Sequence, residues 1–274
     1  MPTHLFESII VGPIHSRRLG TSLGINLLPQ RGKVCSFDCI YCECGWNKEH
    51  KTDKQLPTEK DVREQLTKRA QELVKEGVKV DSITFSGNGE PTIHPEFPKI
   101  IDTVLKIRNE YLPSAKISVL SNSSMLWKEG VREALMKIDN PILKIDSTIE
   151  KIVRCINRPN ERYSLKETIE NLKKFNGNFI LQTMFLKGRA EDPLTGKMAE
   201  LDCTEKEHVA GWLDLVRALK PRQIMMYTLD RDTPLQGLQK VTIEEMRQVA
   251  QPLGAEGFEI TINGEKICEL LYRE

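Results

Sequence analysis

The chain has 274 residues, 39% of them hydrophobic and 29% charged, with 40 Lys and Arg against 39 Asp and Glu for a net charge of +1. That length suffices for one large α/β domain, and no apolar run reaches the ~18 residues a membrane span needs. Domains that grip polynucleotides through their phosphates carry a clear basic excess, so the balanced charge gives no support for such a partner. The opening Met1-Pro2-Thr3-His4 lacks a basic start and an apolar core, so a reducing cytoplasm is expected, where cysteines react or bind metal rather than pair.

Taken in chain order, short β-branched or apolar runs at 23–28, 82–85, 117–120, 142–145, 179–185 and 224–227 read as strands, each followed by a helix-like stretch. Thr58-Glu-Lys-Asp61 resembles a capping box before Val62, Leu66, Ala70, Leu73 and Val74, with Gly77 placed to end the helix. Ser164, Thr204 and Thr242, each with Glu three residues on, repeat the start signature. A further strand is expected over 258–262. Six β/α units imply a parallel sheet, either doubly wound or closed toward a barrel.

The polar clusters favour the barrel. Cysteines follow the first strand, Ser86 to Pro91 the second, Ser121 to Ser124 the third, Asp146 to Thr148 the fourth and Thr228 to Asp232 the sixth. Carboxyl ends of strands converge on one mouth in a barrel and spread apart in an open sheet. The expected fold is therefore α/β, a partial (β/α)6 TIM-like barrel forming a single domain over 1–274. An N-terminal extension covers 1–22, the barrel core 23–230, and a C-terminal helix and strand extension 231–274.

Cys35-Ser-Phe-Asp-Cys39-Ile-Tyr-Cys42 offers three thiolates to a centre that takes four ligands. Structural zinc closes its shell with four Cys or His ligands, and thioredoxin-type redox chemistry uses one CxxC pair. A [4Fe–4S] cube held by three cysteines leaves one iron open for another molecule. Zinc recruiting Cys44 is the alternative, although Cys42-Glu-Cys44 is tight for two ligands of one tetrahedral ion. Cys155, Cys203 and Cys268 stand singly and read as small buried hydrophobes. His15 and His94 read as surface or packing residues.

With Tyr41 before the last cysteine, the segment resembles the CxxxCxΦC pattern of the radical S-adenosylmethionine (SAM) superfamily. Ser86-Gly-Asn-Gly-Glu-Pro91 is similar to that superfamily's GGE element, with Asn88 where the first glycine of the element stands. Glycine lets backbone approach a ligand closely, and Glu90 adds a carboxylate; in isolation the same residues are a plain turn. Gly12-Pro-Ile-His-Ser-Arg-Arg-Leu-Gly20, Ser22 to Asn26, Lys144-Ile-Asp146, Ile156-Asn-Arg-Pro159, Gln182-Thr183 and Tyr227 to Arg231 resemble the branch grouped with wyosine-base tRNA-modifying enzymes. Wyosine synthases carry a further upstream cysteine set, and no cysteine precedes Cys35 here.

The resemblance implies an incomplete barrel and an enzyme that cleaves SAM reductively at a [4Fe–4S] cluster held by Cys35, Cys39 and Cys42. The resulting 5′-deoxyadenosyl radical would abstract hydrogen from a substrate the resemblance does not identify, a tRNA or other RNA base being one candidate and a peptide or small molecule the alternative; a non-catalytic iron–sulfur or zinc electron carrier is the remaining alternative. It implies SAM contacts from Tyr41 and from Ser86, Gly87, Asn88, Gly89 and Glu90, the last group holding the methionine amino end. Ser121 and Asn122 suit ribose or carboxylate, and Asp146 and Gln182, with Asn157 and Arg158, suit SAM or substrate. Lys144 and Asp146 share a strand face, as an internal ion pair or as site residues. Arg17 and Arg18 would offset cluster charge or bind an anion. A reductant such as flavodoxin or ferredoxin is the expected partner, with no membrane.

Overall fold

The structure, a computed structural model, describes residues 5–16, 19–50 and 55–266. Arg17, Arg18 and Cys268 lie outside the described residues. The described residues form two compact units: one takes in those of 5–36 and 47–142, the other those of 37–46 and 143–266.

In the first unit, strand β1 (Ile10–Ser16) runs antiparallel to β2 (Gly20–Ile25). Helix α1 (Glu59–Lys75), strand β3 (Ser82–Phe85), helix α2 (Phe97–Tyr111), strand β4 (Lys116–Ser121), helix α3 (Glu129–Met136) and strand β5 (Asn140–Lys144), whose last two residues count with the second unit, follow, and the strands lie in the order β1-β2-β3-β4-β5. β2–β3 and β3–β4 are parallel, with Leu23 opposite Ile83 and Ile83 opposite Ile117.

Local chemistry fixes these elements. The Thr58 hydroxyl accepts from the Asp61 amide while the Asp61 carboxylate accepts from the Thr58 amide, closing the expected box at the start of α1. At its end Gly77 takes φ +67°, the Val78 amide reaches Leu73 O at 3.0 Å and the Gly77 amide reaches Val74 O at 3.1 Å, a Schellman ending.

The strands alternate sharply between two kinds of face. Leu23, Ile25, Ile83, Phe85, Ile117 and Val119 are all fully buried, as are Val62, Leu66, Ile100 and Val104 of the helices, each contributing roughly 1.5–3 kcal/mol by burial. Phe85 meets Phe97 of α2 edge to face at 6.2 Å. The opposite face carries a ladder of buried polar groups: Ser22 Oγ to Thr84 Oγ1 (2.7 Å), Thr84 to Ser82 (3.0 Å), Ser82 to Ser118 (2.9 Å) and Asn140 Nδ2 to Ser118 Oγ (3.1 Å).

In the second unit, helices α4 (Glu150–Asn157) and α5 (Leu165–Lys173) precede strand β6 (Ile180–Met184). Strands β7 (Leu186–Glu191) and β8 (Met198–Asp202), helix α6 (Lys206–Leu219), strand β9 (Gln223–Tyr227), strand β10 (Gln239–Lys240), helix α7 (Ile243–Ala255), strand β11 (Ile260–Ile262) and strand β12 (Glu265–Lys266) complete it. β6, β9 and β11 pair in parallel, and β12 turns back antiparallel on β11. Trp212 of α6 is buried against Phe185 at 5.4 Å and its indole N–H donates to Thr183 Oγ1 at 3.0 Å.

Every expected strand is present, but three local expectations are corrected. An unforeseen strand, β1, precedes the first. A hairpin, β7–β8, stands between β6 and α6, and with β10 it forms a separate antiparallel sheet in the order β10-β7-β8. Its turn follows from Asp192-Pro-Leu-Thr-Gly196: the Leu194 amide donates to Asp192 Oδ1 (3.1 Å), and the Gly196 amide, at φ +68°, to Asp192 O (2.8 Å). Thr204 does not cap α6. Its amide and hydroxyl bind Asp202 Oδ1 at 2.8 and 2.5 Å, so Glu205 becomes the cap position.

Candidate metal centre

In the first unit, the end of β3 and the end of β4 are joined through Glu90. The carboxylate is 2% exposed, and Oε2 accepts from the Asn122 amide at 2.6 Å while Oε1 accepts from Ser121 Oγ at 2.9 Å, from the Thr92 amide at 3.1 Å and from the Thr92 hydroxyl. Burial pushes the Glu90 carboxyl above its ordinary value, with these hydrogen bonds opposing. Asn122 then reaches the cysteine segment: its Nδ2 donates to Ser36 Oγ at 3.0 Å and to Cys35 Sγ at 3.6 Å. Ser36 Oγ also meets Ser124 Oγ at 2.5 Å, and the Asn122 Oδ1 accepts from the Ser124 amide at 3.0 Å. Ser123, between them, holds a left-handed φ of +68°.

The glycines of Ser86 to Glu90 are required by the chain's own groups. A Cβ on Gly87 would lie 2.2 Å from Asn26 Oδ1, and one on Gly89, at φ +130°, 2.0 Å from Val34 O. Val34, adjacent to Cys35, is thereby strapped down: its amide donates to Asn88 O and its carbonyl accepts from the Glu90 amide, both at 3.0 Å. Asn88 explains its own presence. Its side chain is fully buried, accepting from the Phe6 amide (2.8 Å) and donating to Phe6 O (2.9 Å) and Pro29 O (2.7 Å). Ser86, half-buried, donates its amide to Ile25 O at 3.3 Å.

In the second unit, Cys39 and Tyr41 are gathered with residues from β5 and α4. Lys144 Nζ donates to Tyr41 Oη at 2.6 Å and to Cys39 Sγ at 3.6 Å, and lies 3.3 Å from Asp146 Oδ2. Asp146 Oδ2 accepts from Tyr41 Oη (2.5 Å) and Asn157 Nδ2 (2.6 Å), and Oδ1 from the Met184 amide (3.0 Å). Asn157 Nδ2 also reaches Cys39 Sγ at 3.5 Å. Burial raises the Cys39 thiol, with Lys144 pulling the other way, and burial followed by Asp146 raises the Tyr41 phenol well above its ordinary value.

The backbone of this segment is moulded by the end of α4. The Asp38 amide donates to Asn157 O (3.0 Å) and the Ile40 amide to Ile156 O (2.9 Å), while Phe37 bridges Pro159. These carbonyls are accessible because α4 stops at Arg158, in left-handed conformation (φ 45°, ψ 59°), with Pro159 unable to continue the helix. Arg158 stacks on Trp46 at 4.9 Å, and Phe37 meets Tyr163 edge to face at 4.9 Å. Beyond Tyr41, the Cys42 amide returns to Cys39 O at 3.1 Å.

The structure thus brings Glu90, Ser121, Asn122 and Cys35 together, and separately Cys39, Tyr41, Lys144, Asp146 and Asn157. Gln182 is buried in β6, its carbonyl accepting from the Ile145 amide at 3.1 Å. His94 packs, its Nε2 2.8 Å from Pro57 O, and His15 is exposed on β1. Cys155 and Cys203 are buried at 0% and 1% exposure, as small hydrophobes. The hydroxyl link from Ser36 to Ser124 and the stack of Arg158 on Trp46 had no sequence signal beyond serine and proline content.

A cluster bound by thiolates wants N–H donors at its sulfurs; Cys35 receives one from Asn122, and Cys39 receives them from Lys144 and Asn157. Such donors suit Cys35 and Cys39, each within its own unit, as thiolate ligands.

Comparison with known proteins points the same way. The chain is 35% identical over 184 residues to a UPF0026 protein of Methanocaldococcus jannaschii, an alignment covering 65% of this chain and 54% of that protein, so the chain spans little more than half of that relative. A UPF0026 protein of Synechocystis is 29% identical over 234 residues, covering 83% of this chain and 77% of its own. Among solved structures, Streptococcus suis SuiB bound to precursor peptide SuiA superposes with a TM-score of 0.59 at 15% identity, over 87% of this chain and 48% of that one. Native anSMEcpe with bound AdoMet gives a TM-score of 0.55 at 12% identity, over 87% and 63%. These neighbours share the mixed α/β fold with a parallel sheet, which in radical SAM enzymes forms a partial TIM barrel. Radical SAM proteins use a [4Fe–4S] cluster and SAM. With the Radical SAM superfamily model matching residues 30–195, which include all three cysteines and every residue gathered around them, the chain belongs to the radical SAM superfamily.

Proposed function

We propose that Cys35, Cys39 and Cys42 hold a [4Fe–4S] cluster and that the chain is a radical SAM enzyme acting on an RNA base. The observation that carries the cluster assignment is the set of N–H donors at Cys35 and Cys39: Asn122 at 3.6 Å, Asn157 at 3.5 Å and Lys144 at 3.6 Å. When bound, the cluster supplies the electron that cleaves the S–C5′ bond of SAM to methionine and a 5′-deoxyadenosyl radical. Residues of the chain orient and shield. Tyr41 and the backbone of Gly87 to Gly89 contact SAM, Glu90 fixes Ser121 and Asn122 where they meet its ribose or carboxylate, and Asp146 and Gln182 face SAM or substrate. The RNA-base substrate rests on the segments similar to the wyosine-related branch; net charge adds nothing to it. Flavodoxin or ferredoxin is the proposed reductant, and a cytoplasmic location suits the oxygen-sensitive centre.

The test is anaerobic reconstitution followed by SAM and dithionite. The expected product is 5′-deoxyadenosine, lost in Cys39→Ala and retained in Cys44→Ala. A fully loaded cluster that gives no 5′-deoxyadenosine, and whose EPR signal SAM leaves unchanged, would instead identify an electron carrier. Turnover with bulk tRNA but not with peptides separates the two substrate classes.

A further inference from the structure

We infer that Lys144 sets the reduction potential of the cluster by acting on the Cys39 sulfur, a role resting on Cys39 as a ligand. Lys144 is the last residue of β5 and its side chain is 11% exposed. Removing an ammonium from water costs several kcal/mol unless partners replace the solvent. Asp146, 3.3 Å away, supplies the counter-charge, while its carboxylate also accepts from Tyr41, Asn157 and the Met184 amide. What the mounting achieves is aim. The Tyr41 hydroxyl at 2.6 Å and the faces of Tyr41 (5.0 Å) and Phe37 (5.6 Å) hold the Nζ where it donates to Cys39 Sγ at 3.6 Å. Cys35 receives a neutral amide from Asn122 at the same distance. Cys39 thus receives an ammonium beside the neutral amide of Asn157. Away from water a cation beside a ligand sulfur is screened less than in solvent, with Asp146, 3.3 Å from the ammonium, offsetting part of it, and positive charge and N–H donors at sulfur favour the reduced cluster. Lys144 is thus a positioning and tuning residue, acting through Cys39.

The measurement is an EPR-monitored redox titration of the reconstituted protein, with iron content determined on the same samples. Lys144→Met is expected to load iron as the wild type does and to show a more negative midpoint, whereas Lys144→Arg stays near the wild-type midpoint. Tyr41→Phe, which removes the hydroxyl seating the ammonium, shifts in the same direction by less. Should Lys144→Met fail to fold with Asp146 left unpaired, the neutral pair Lys144→Met/Asp146→Asn carries the test, with a negative shift made smaller by loss of the opposing carboxylate. A loaded variant with an unchanged midpoint overturns the inference, as does a wild-type-like melting curve with no cluster, which would make Lys144 an assembly residue. Full iron content in Cys39→Ala would instead sink the ligand assignment beneath it.

Discussion

The backbone amide of Asn122 donates to the buried carboxylate of Glu90 at 2.6 Å, tying the end of β4 to the turn after β3. Glu90→Gln sets an amide nitrogen among donors where only acceptors are needed. Leaving one buried donor unmatched costs ~1–3 kcal/mol. The expected result is a melting temperature lowered by roughly 2–12 °C in the metal-free protein. An unchanged melting temperature would remove Glu90 from this role.

Gly89→Ala should be far more damaging than Gly77→Ala. Both glycines have positive φ, but a Cβ at Gly77 meets nothing within 4 Å, whereas at Gly89 it meets Val34 O at 2.0 Å. The first change costs ~1–2 kcal/mol for left-handed backbone alone. The second breaks the strap on Val34 and falls in the range above ~4 kcal/mol reserved for gross misfit. Thermal melts of the two variants, with iron retention for Gly89→Ala, check the order.

Acid should selectively loosen α7. Lys187 Nζ lies 2.5 Å from Glu245 Oε1 and the Thr242 amide donates to Oε2 at 2.8 Å, with Lys187 the largest cause holding the Glu245 carboxyl down at about 2. Because the folded value lies below the unfolded 4.5, the contribution is present above that value and is lost as pH falls toward 2. The stability difference between wild type and Glu245→Gln should therefore shrink across that window. Added salt should shrink it further, since the side chain is 34% exposed. A difference independent of pH would contradict the pairing.

Lys220 ends α6 in left-handed backbone at φ 46° and is exposed. Lys220→Gly should stabilise by up to ~1 kcal/mol, the strain relieved being partly offset by the freer unfolded chain. Gly177→Ala, whose Cβ would sit 2.4 Å from Lys220 O at φ +78°, should do the opposite. Denaturant midpoints for the pair decide both.

Much of this was legible in the sequence because it is written locally. The capping boxes at Thr58 and Thr242 and the Gly77 ending need only neighbours within one helical turn, and strands β2 to β6 and β9 announced themselves by short apolar runs. Thr204 misled because Asp202, two residues back, competes for the same hydroxyl. The hairpin β7–β8 was hidden since its strands are half exposed and carry charges such as Arg189 and Glu200, which a helix would also accept. Around the cysteines, residue types pointed to the chemistry, yet which donor reaches which sulfur depends on pairings such as Asn157 with Cys39, 118 residues apart. Asn88 was legible only as a departure; its purpose lies in Phe6, 82 residues away.

Those 118 residues also set a timetable for the cell. The segment around Cys39 takes its shape from carbonyls at the end of α4, so it has no mould while the ribosome is still working through the intervening chain. At ~5–20 residues per second that interval is on the order of ten seconds. During it the thiols are nascent-chain cysteines open to oxidation or to stray zinc. On the proposed assignment, a cluster inserted after Asn157 and Arg158 are made meets a shaped Cys39 segment, and expression with slowed translation should raise the fraction of protein carrying the wrong metal.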